Sequence, residues 1–169
     1  MSTFDIGSII VYVDEDLDSD QFVVPVQKAG FRVVRHRQVL PQGTEDEVWI
    51  PYVASRGWFA LSHNREISYL DSQRELVMSE GLGLFLVRGR TEYEGHPSLA
   101  SKVVGARTSI ANFVHKNYRP FIAAIVGPQG KKQRYRCEPR KPDGRAWGKG
   151  KFEARRQLQQ MQEPPPGGS

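Results

Sequence analysis

At 169 residues with 38% apolar content, the chain is sized for one domain with a real core rather than two. No stretch nears ~18 consecutive apolar residues, and "MSTFDIGS" lacks a basic and then apolar leader, so neither a membrane span nor a secretory signal is expected. The net charge of +5 is unevenly held: residues 1–127 carry 13 Lys and Arg against 15 Asp and Glu, and residues 128–169 carry 11 against 4.

"SIIVYV" (8–13) reads as a buried strand, short and β-branched, that stops at five acids: Asp14, Glu15, Asp16, Asp18 and Asp20. A helix is predicted over about 19–29 with Gly30 just past its end, and Pro25 either lies near the first turn or kinks it. "FRVVRHR" (31–37) is a second strand. In "LPQGTEDEVWIPYVASRGW" (40–58), Thr44 followed by Glu47 predicts a capping box and a helix with Trp49, Tyr52 and Val53 on its apolar face. Pro51 shortens or kinks that helix and leaves the Glu47 carbonyl without its donor, and Gly57 ends it. "WFALSHNR" (58–65) is a third strand, "YLDSQRELVMSEG" (69–81) an amphipathic helix starting at Asp71 or Ser72, and "LGLFLVRG" (82–89) a fourth strand. "HPSLASKVVGARTSIANFVHKN" (96–117) reads as one longer helix with Leu99, Val103, Ile110, Phe113 and Val114 toward the core. "PFIAAIVGPQGKKQRYRCEP" (120–139) is a strand, a Gly/Pro turn and an antiparallel return.

Alternating strands and helices predict an α/β fold of three layers with a mostly parallel sheet. The expected division is a domain over 1–137 and a basic, largely disordered tail over 138–169, where Gly, Pro and charge dominate. That tail is an electrostatic footprint for RNA, DNA or an acidic partner, or else a solvated extension. Cys137 is the only cysteine, which fits a cytoplasmic protein, and its basic surroundings could lower its pKa. His36, His63, His96 and His115 lack zinc spacing, and "GPQGKK" and "GLGLFLVRG" lack the full spacing of a phosphate loop.

The acids carry the chemistry. In open α/β sheets ligands sit beyond the carboxyl ends of the strands. The segments 14–16 and 62–65 both lie just past strand ends and could meet at one crevice. Clustered carboxylates there suit Mg²⁺ or Mn²⁺, which could activate a water for phosphodiester cleavage. Each acid alone also has a plainer role: Asp16 or Asp18 as a helix cap, Asp46 in a first helical turn, and Glu47 in the capping box.

The order "VYVDEDLDSD … VPVQKAGFRVV … TEDEVWIPYVASRGWFALSHNREI … GLGLFLV … RPFIAAIV" resembles the PIN-like domain found in a branch of VapC-type bacterial toxins. The similarity spans about residues 8–127, extending to 136, and rests most on "DEVWIP", "RGWFAL" and "RPFIAAIV". The resemblance implies an α/β sandwich and a Mg²⁺- or Mn²⁺-dependent endoribonuclease, the toxin of a type II toxin–antitoxin pair. Its partners would be an RNA substrate, a cognate antitoxin and a second copy of the chain. The family's first acid falls on Asp14 and its helix acids on Asp46 and Glu47. Its next acid is replaced: in Leu61-Ser62-His63-Asn64-Arg65 the position holds Asn64, which keeps a carbonyl oxygen but loses a charge. A metal would then be held weakly through Asp14, Asp46 and Glu47, or with Asp16 or Asp71 as a substitute acid. Arg65, Lys131, Lys132, Arg134 and Arg136 are the expected contacts to the RNA backbone. Two other readings stand beside this one: a catalytically degenerate module that binds RNA or antitoxin, and an interaction domain with a solubilising tail.

Overall fold

The computed structural model describes residues 5–63, 71–88, 94–128 and 135–139. In chain order the elements are β1 (Ile10–Val13), α1 (Asp20–Lys28), β2 (Arg32–Arg35), α2 (His36–Val39), α3 (Asp46–Ser55) and β3 (Phe59–Ser62). They continue with α4 (Asp71–Glu80), β4 (Gly83–Val87), α5 (His96–Gly105), α6 (Arg107–Lys116), β5 (Phe121–Val126) and β6 (Arg136–Pro139). The strands form one sheet in the order β2-β1-β3-β4-β5-β6, parallel throughout except for the antiparallel β6.

Side chains along each central strand alternate between two cores, as a strand covered on both faces requires. Val11, Val13, Phe59, Leu61, Phe85, Phe121 and Ile125 pack on one face against Phe22, Val23 and Val26 of α1, Leu99 and Val103 of α5, and Ile110 and Phe113 of α6. Tyr12, Ala60, Leu84, Leu86 and Ile122 face the other way, against Trp49, Ile50 and Val53 of α3 and Val77 of α4. The result is the expected three-layer α/β architecture. Parallel register sets Val13 level with Arg35 and Leu61, so β1, β2 and β3 end at one edge.

Several local expectations are corrected. Residues 36–37 leave the sheet and open α2, where the Gln38 side chain accepts from the Arg35 amide at 2.9 Å. Thr44 does not cap α3: Glu45 holds that position without a side-chain bond, and the Thr44 hydroxyl instead donates to the Pro41 carbonyl at 2.6 Å, closing the loop before the helix. Pro25 and Pro51 both lie inside their helices. The long helix over 96–117 is two helices, α5 and α6, broken at Ala106 (φ −93°, ψ 3°). The cause sits at Gly105, a weak helix former whose missing side chain leaves room for the Tyr135 ring; a Cβ there would meet that ring at 2.5 Å.

Gly83 has a similar role in the sheet. It pairs in register with Phe59 and Phe121, and the two rings lean toward each other with centroids 6.1 Å apart. A Cβ on Gly83 would come within 2.6 Å of Phe59 and 2.9 Å of Phe121. Gly83→Ala is therefore expected to destabilise the fold by about 1–3 kcal/mol, the usual cost of overpacking a core. Urea denaturation measures this, and an unchanged midpoint would contradict the described ring packing.

Candidate active site

Asp14 is the first residue past β1, and its amide still bonds the Leu61 carbonyl at 3.0 Å. Its carboxylate Oδ1 accepts from the Glu15 amide at 2.7 Å and so caps the short 3₁₀ turn Glu15–Leu17. Leu17, fully buried, anchors that turn in the core. Ser62, the last residue of β3, donates from its hydroxyl to the other Asp14 oxygen at 2.9 Å. The turn then carries Asp16 back toward the end of β3, where its carboxylate accepts from the His63 amide at 3.2 Å. The two strand-end segments thus meet at one place.

Asp46 opens α3. Its two oxygens accept from the Trp49 indole at 2.7 Å and from the Gln73 amide of α4 at 2.8 Å. Trp49 in turn stacks on Tyr12 of β1, with ring centroids 5.3 Å apart.

Burial pushes the Asp14 carboxyl up to about 7, and the charges of Asp16 and then Asp46 add to it, against the pull of the Ser62 and Glu15 donors. Asp16 is an exposed residue, but partial loss of hydration at its carboxyl pushes it up to about 6, opposed by the His63 amide and reinforced by Asp46 and Glu15. No Lys or Arg is among the main influences on either group.

The other acids of the stretch are answered individually. Arg35 Nε and Arg37 Nε bond the Asp18 carboxylate at 2.7 and 3.1 Å, and the Arg37 amide adds a third bond at 2.9 Å. Burial alone would raise the Asp18 carboxyl, but these donors outweigh it and hold it below the usual range. Asp20 pairs with Arg35 at 2.7 Å. Both Glu15 oxygens lie 3.0 Å from the Gly43 amide.

Residues 10–89 match the family described as a PIN-like domain. Over this stretch the chain is similar to the PIN-like domain. The stretch runs from the start of β1 to just past β4 and holds every acid discussed above. The six-stranded, mostly parallel sheet with helices on both faces agrees with a PIN-like three-layer fold. No curated protein and no solved structure matches the chain.

The expected site residues separate. Asp14 and Asp46 stand where their charges act on one another, and Asp16 joins them. Glu47 is exposed on α3, and the α3 acid that acts on Asp14 and Asp16 is Asp46. Arg136 is engaged, with Nε on Glu138 at 2.8 Å and Nη1 toward the Gly127 carbonyl at 3.4 Å. Asn64, Arg65, Lys131, Lys132 and Arg134 lie outside the described residues, as does the tail beyond Pro139, and nothing is described of the Asp71 side chain. His63 is tied down rather than simply solvated, its Nδ1 donating to the Val87 carbonyl at 2.6 Å. Cys137 goes against its basic surroundings, since burial pushes its thiol up to about 12.

The donor set fits a hard divalent cation. It offers carboxylate oxygens from buried Asp14 and exposed Asp16, their charges repel, and among the described residues no cation pairs with either. Among the described residues no three His, Cys, Asp or Glu side chains form a complete ligand group. A cation here would therefore rest on Asp14 and Asp16 and keep positions open, which is the habit of Mg²⁺ at phosphate-handling sites.

The raised carboxyl groups make a pH prediction. A folded pKa above the ordinary value of 3.8 means that the stabilising, protonated form is complete below pH 3.8 and is lost as pH rises through about 6 for Asp16 and about 7 for Asp14. Comparing wild type with the Asp14→Asn/Asp16→Asn double variant in EDTA cancels the other titrations. The variant should match wild type near pH 4 and exceed it by about 2 kcal/mol at pH 8, mostly from buried Asp14, because solvent screens the share of exposed Asp16. Thermal melts across that range check it; equal stability throughout would mean that the pair is not repelled.

Proposed function

We propose that the protein is a Mg²⁺- or Mn²⁺-dependent endoribonuclease built on the PIN-like fold, acting as the toxin of a type II toxin–antitoxin pair. The observation that carries this reading is the Asp14–Asp16 pair: a buried carboxylate just past β1 and an exposed one turned back to the end of β3, neither paired with a cation among the described residues, while Asp18, two residues on, receives two arginines. A divalent ion bound there would lower the pKa of a water and offset charge on the phosphodiester. Asp14 and Asp16 would hold it. Ser62 and the His63 amide keep those carboxylates in place, and Trp49 and Gln73 fix Asp46 beside them. Arg65 and the cations of 131–134 would contact the RNA backbone, a binding mode that is salt-sensitive and carries little sequence information. The toxin role rests on the resemblance of the sequence, and the antitoxin and a second copy of the chain are the partners it brings.

One observation favours the degenerate alternative. Asn64 stands where the resemblance expects an acid, and the described residues alone do not complete a ligand group. A protein of that kind would bind RNA or antitoxin without cleaving.

Calorimetric titration with Mn²⁺, followed by cleavage of mixed RNA, decides between them. Wild type should bind Mn²⁺ and cleave, with EDTA abolishing cleavage. Asp14→Asn and Asp16→Asn should each lose affinity by roughly 100-fold. Glu47→Gln should bind as wild type does, because its side chain is exposed on α3. RNA binding without Mn²⁺ binding would support the degenerate module and end the nuclease reading.

A further inference from the structure

We infer that His96, through a relay from Ser19, is a positioning residue for Asp16 and thereby sets the affinity of the site for a divalent cation. The inference rests on the metal-dependent reading above. His96 is the first residue of α5, 80 positions from Asp16 in sequence, yet its Nε2 lies 3.0 Å from the Asp16 carbonyl oxygen. Its Nδ1 lies 2.5 Å from the Ser19 hydroxyl. The roles follow from the partners. A carbonyl only accepts, so Nε2 carries the proton, and Nδ1 accepts from the Ser19 hydroxyl. The Ser19 oxygen in turn accepts from the Phe22 amide at 3.3 Å as the cap of α1.

His96 therefore joins α1, α5 and the 3₁₀ turn at the residue whose carboxylate matters. The backbone carbonyl of Asp16 is held from one side by His96, and its carboxylate is held from the other by the His63 amide. The ring also packs edge-on against Phe22, with centroids 6.4 Å apart, which fixes its plane. The two histidines are placed alike: each gives its ring proton to a backbone carbonyl, Val87 for His63 and Asp16 for His96. Because the Asp16 carbonyl is near solvent, water can replace His96 as its donor. Loss of the ring should then loosen the turn without unfolding the domain. Outer partners that orient metal ligands act in this way, and removing one weakens metal binding more than it weakens the fold.

The test compares Mn²⁺ affinity by calorimetry with the melting temperature in EDTA for wild type, His96→Leu, His96→Gln and Ser19→Gly. Gln places an amide N–H near the position of Nε2, so it retains the bond to Asp16, whereas Leu keeps bulk and loses the bond. Ser19→Gly removes the hydroxyl that orients the ring while keeping a residue accepted at a helix cap. The expected result is a roughly ten-fold weaker Kd in His96→Leu, a smaller loss in Ser19→Gly and near wild-type affinity in His96→Gln, with apo melting temperatures close together. Equal affinity in all four proteins would overturn the role of His96 while leaving the metal site intact. A loss shared by Leu and Gln that tracks a fall in apo stability would also overturn it, by reducing His96 to a packing residue. Wild type that binds no Mn²⁺ would overturn the metal reading itself, and the inference with it.

Discussion

Repulsion between Asp14 and Asp16 is the constraint around which the carboxyl edge of the sheet is built. Asp14 is buried and Asp16 lies exposed in the turn beside it, and lost hydration is the first cause of the raised carboxyl in each. The fold does not lack cations nearby: Arg35 and Arg37 stand at the end of β2, next to β1 in the sheet. Both are turned onto Asp18, and Arg35 also onto Asp20. Among the described residues neutralisation is selective, then, and it pairs no cation with the two acids that sit where strand ends converge. Anything that binds the folded state through that pair gains what the apo protein loses by keeping it charged.

Holding such a pair requires a stiff surround, and the structure supplies it from both layers. On the α3 side, Tyr12 stacks on Trp49, whose indole N–H holds Asp46. Burial, with the nearby acids, pushes the Tyr12 phenol far above its ordinary range, so it stays protonated and donates to His36 Nδ1 at 2.5 Å. His36 then uses Nε2 on the Pro41 carbonyl at 2.8 Å. That contact steadies the loop from which Gly43 offers its amide to Glu15. One buried tyrosine thus reaches both flanks of the 3₁₀ turn. On the other side, Leu17 and His96 pin the same turn to the core and to α5.

Much of this was legible in the sequence, and the parts that were not have physical causes. Continuous apolar runs at 10–13, 83–87 and 121–126 announce strands covered on both faces, and the alternation with helical segments announces a parallel sheet. Gly30, Gly57 and Gly81 mark helix ends because each adopts a positive φ. The break at Ala106 was hidden, since it depends on the Tyr135 ring arriving from 29 residues further on. The misplaced cap of α3 shows how a local motif yields: Thr44 fits the pattern, but its hydroxyl is taken by Pro41. Among the acids, the resemblance implied Asp46 and Glu47 equally, and the helix turned only Asp46 inward. Asp16 carried a signal that could have raised its standing. A residue two past Asp14 in a tight turn returns to the same side, which an acid capping a helix would not need to do.

In the proposed reading, the crevice and the basic segment solve one problem at two ranges. Residues 1–127 hold a small excess of acids, and the strand-end carboxylates add local negative charge where a phosphodiester would have to sit. Without a cation that crevice repels RNA at contact distance. A divalent ion reverses the local sign, because at such a site the ion is the largest charge present. Its influence fades within a Debye length of about 8 Å at physiological salt, so it cannot gather a polyanion from a distance. The excess of 11 basic over 4 acidic residues in 128–169 is suited to that longer reach. Asn64 fits the same balance. Replacing an acid there lessens the repulsion felt by RNA and also removes a charge that would attract the metal. The burden of holding the ion then shifts to Asp14 and Asp16, the pair that Arg35 and Arg37 leave for Asp18.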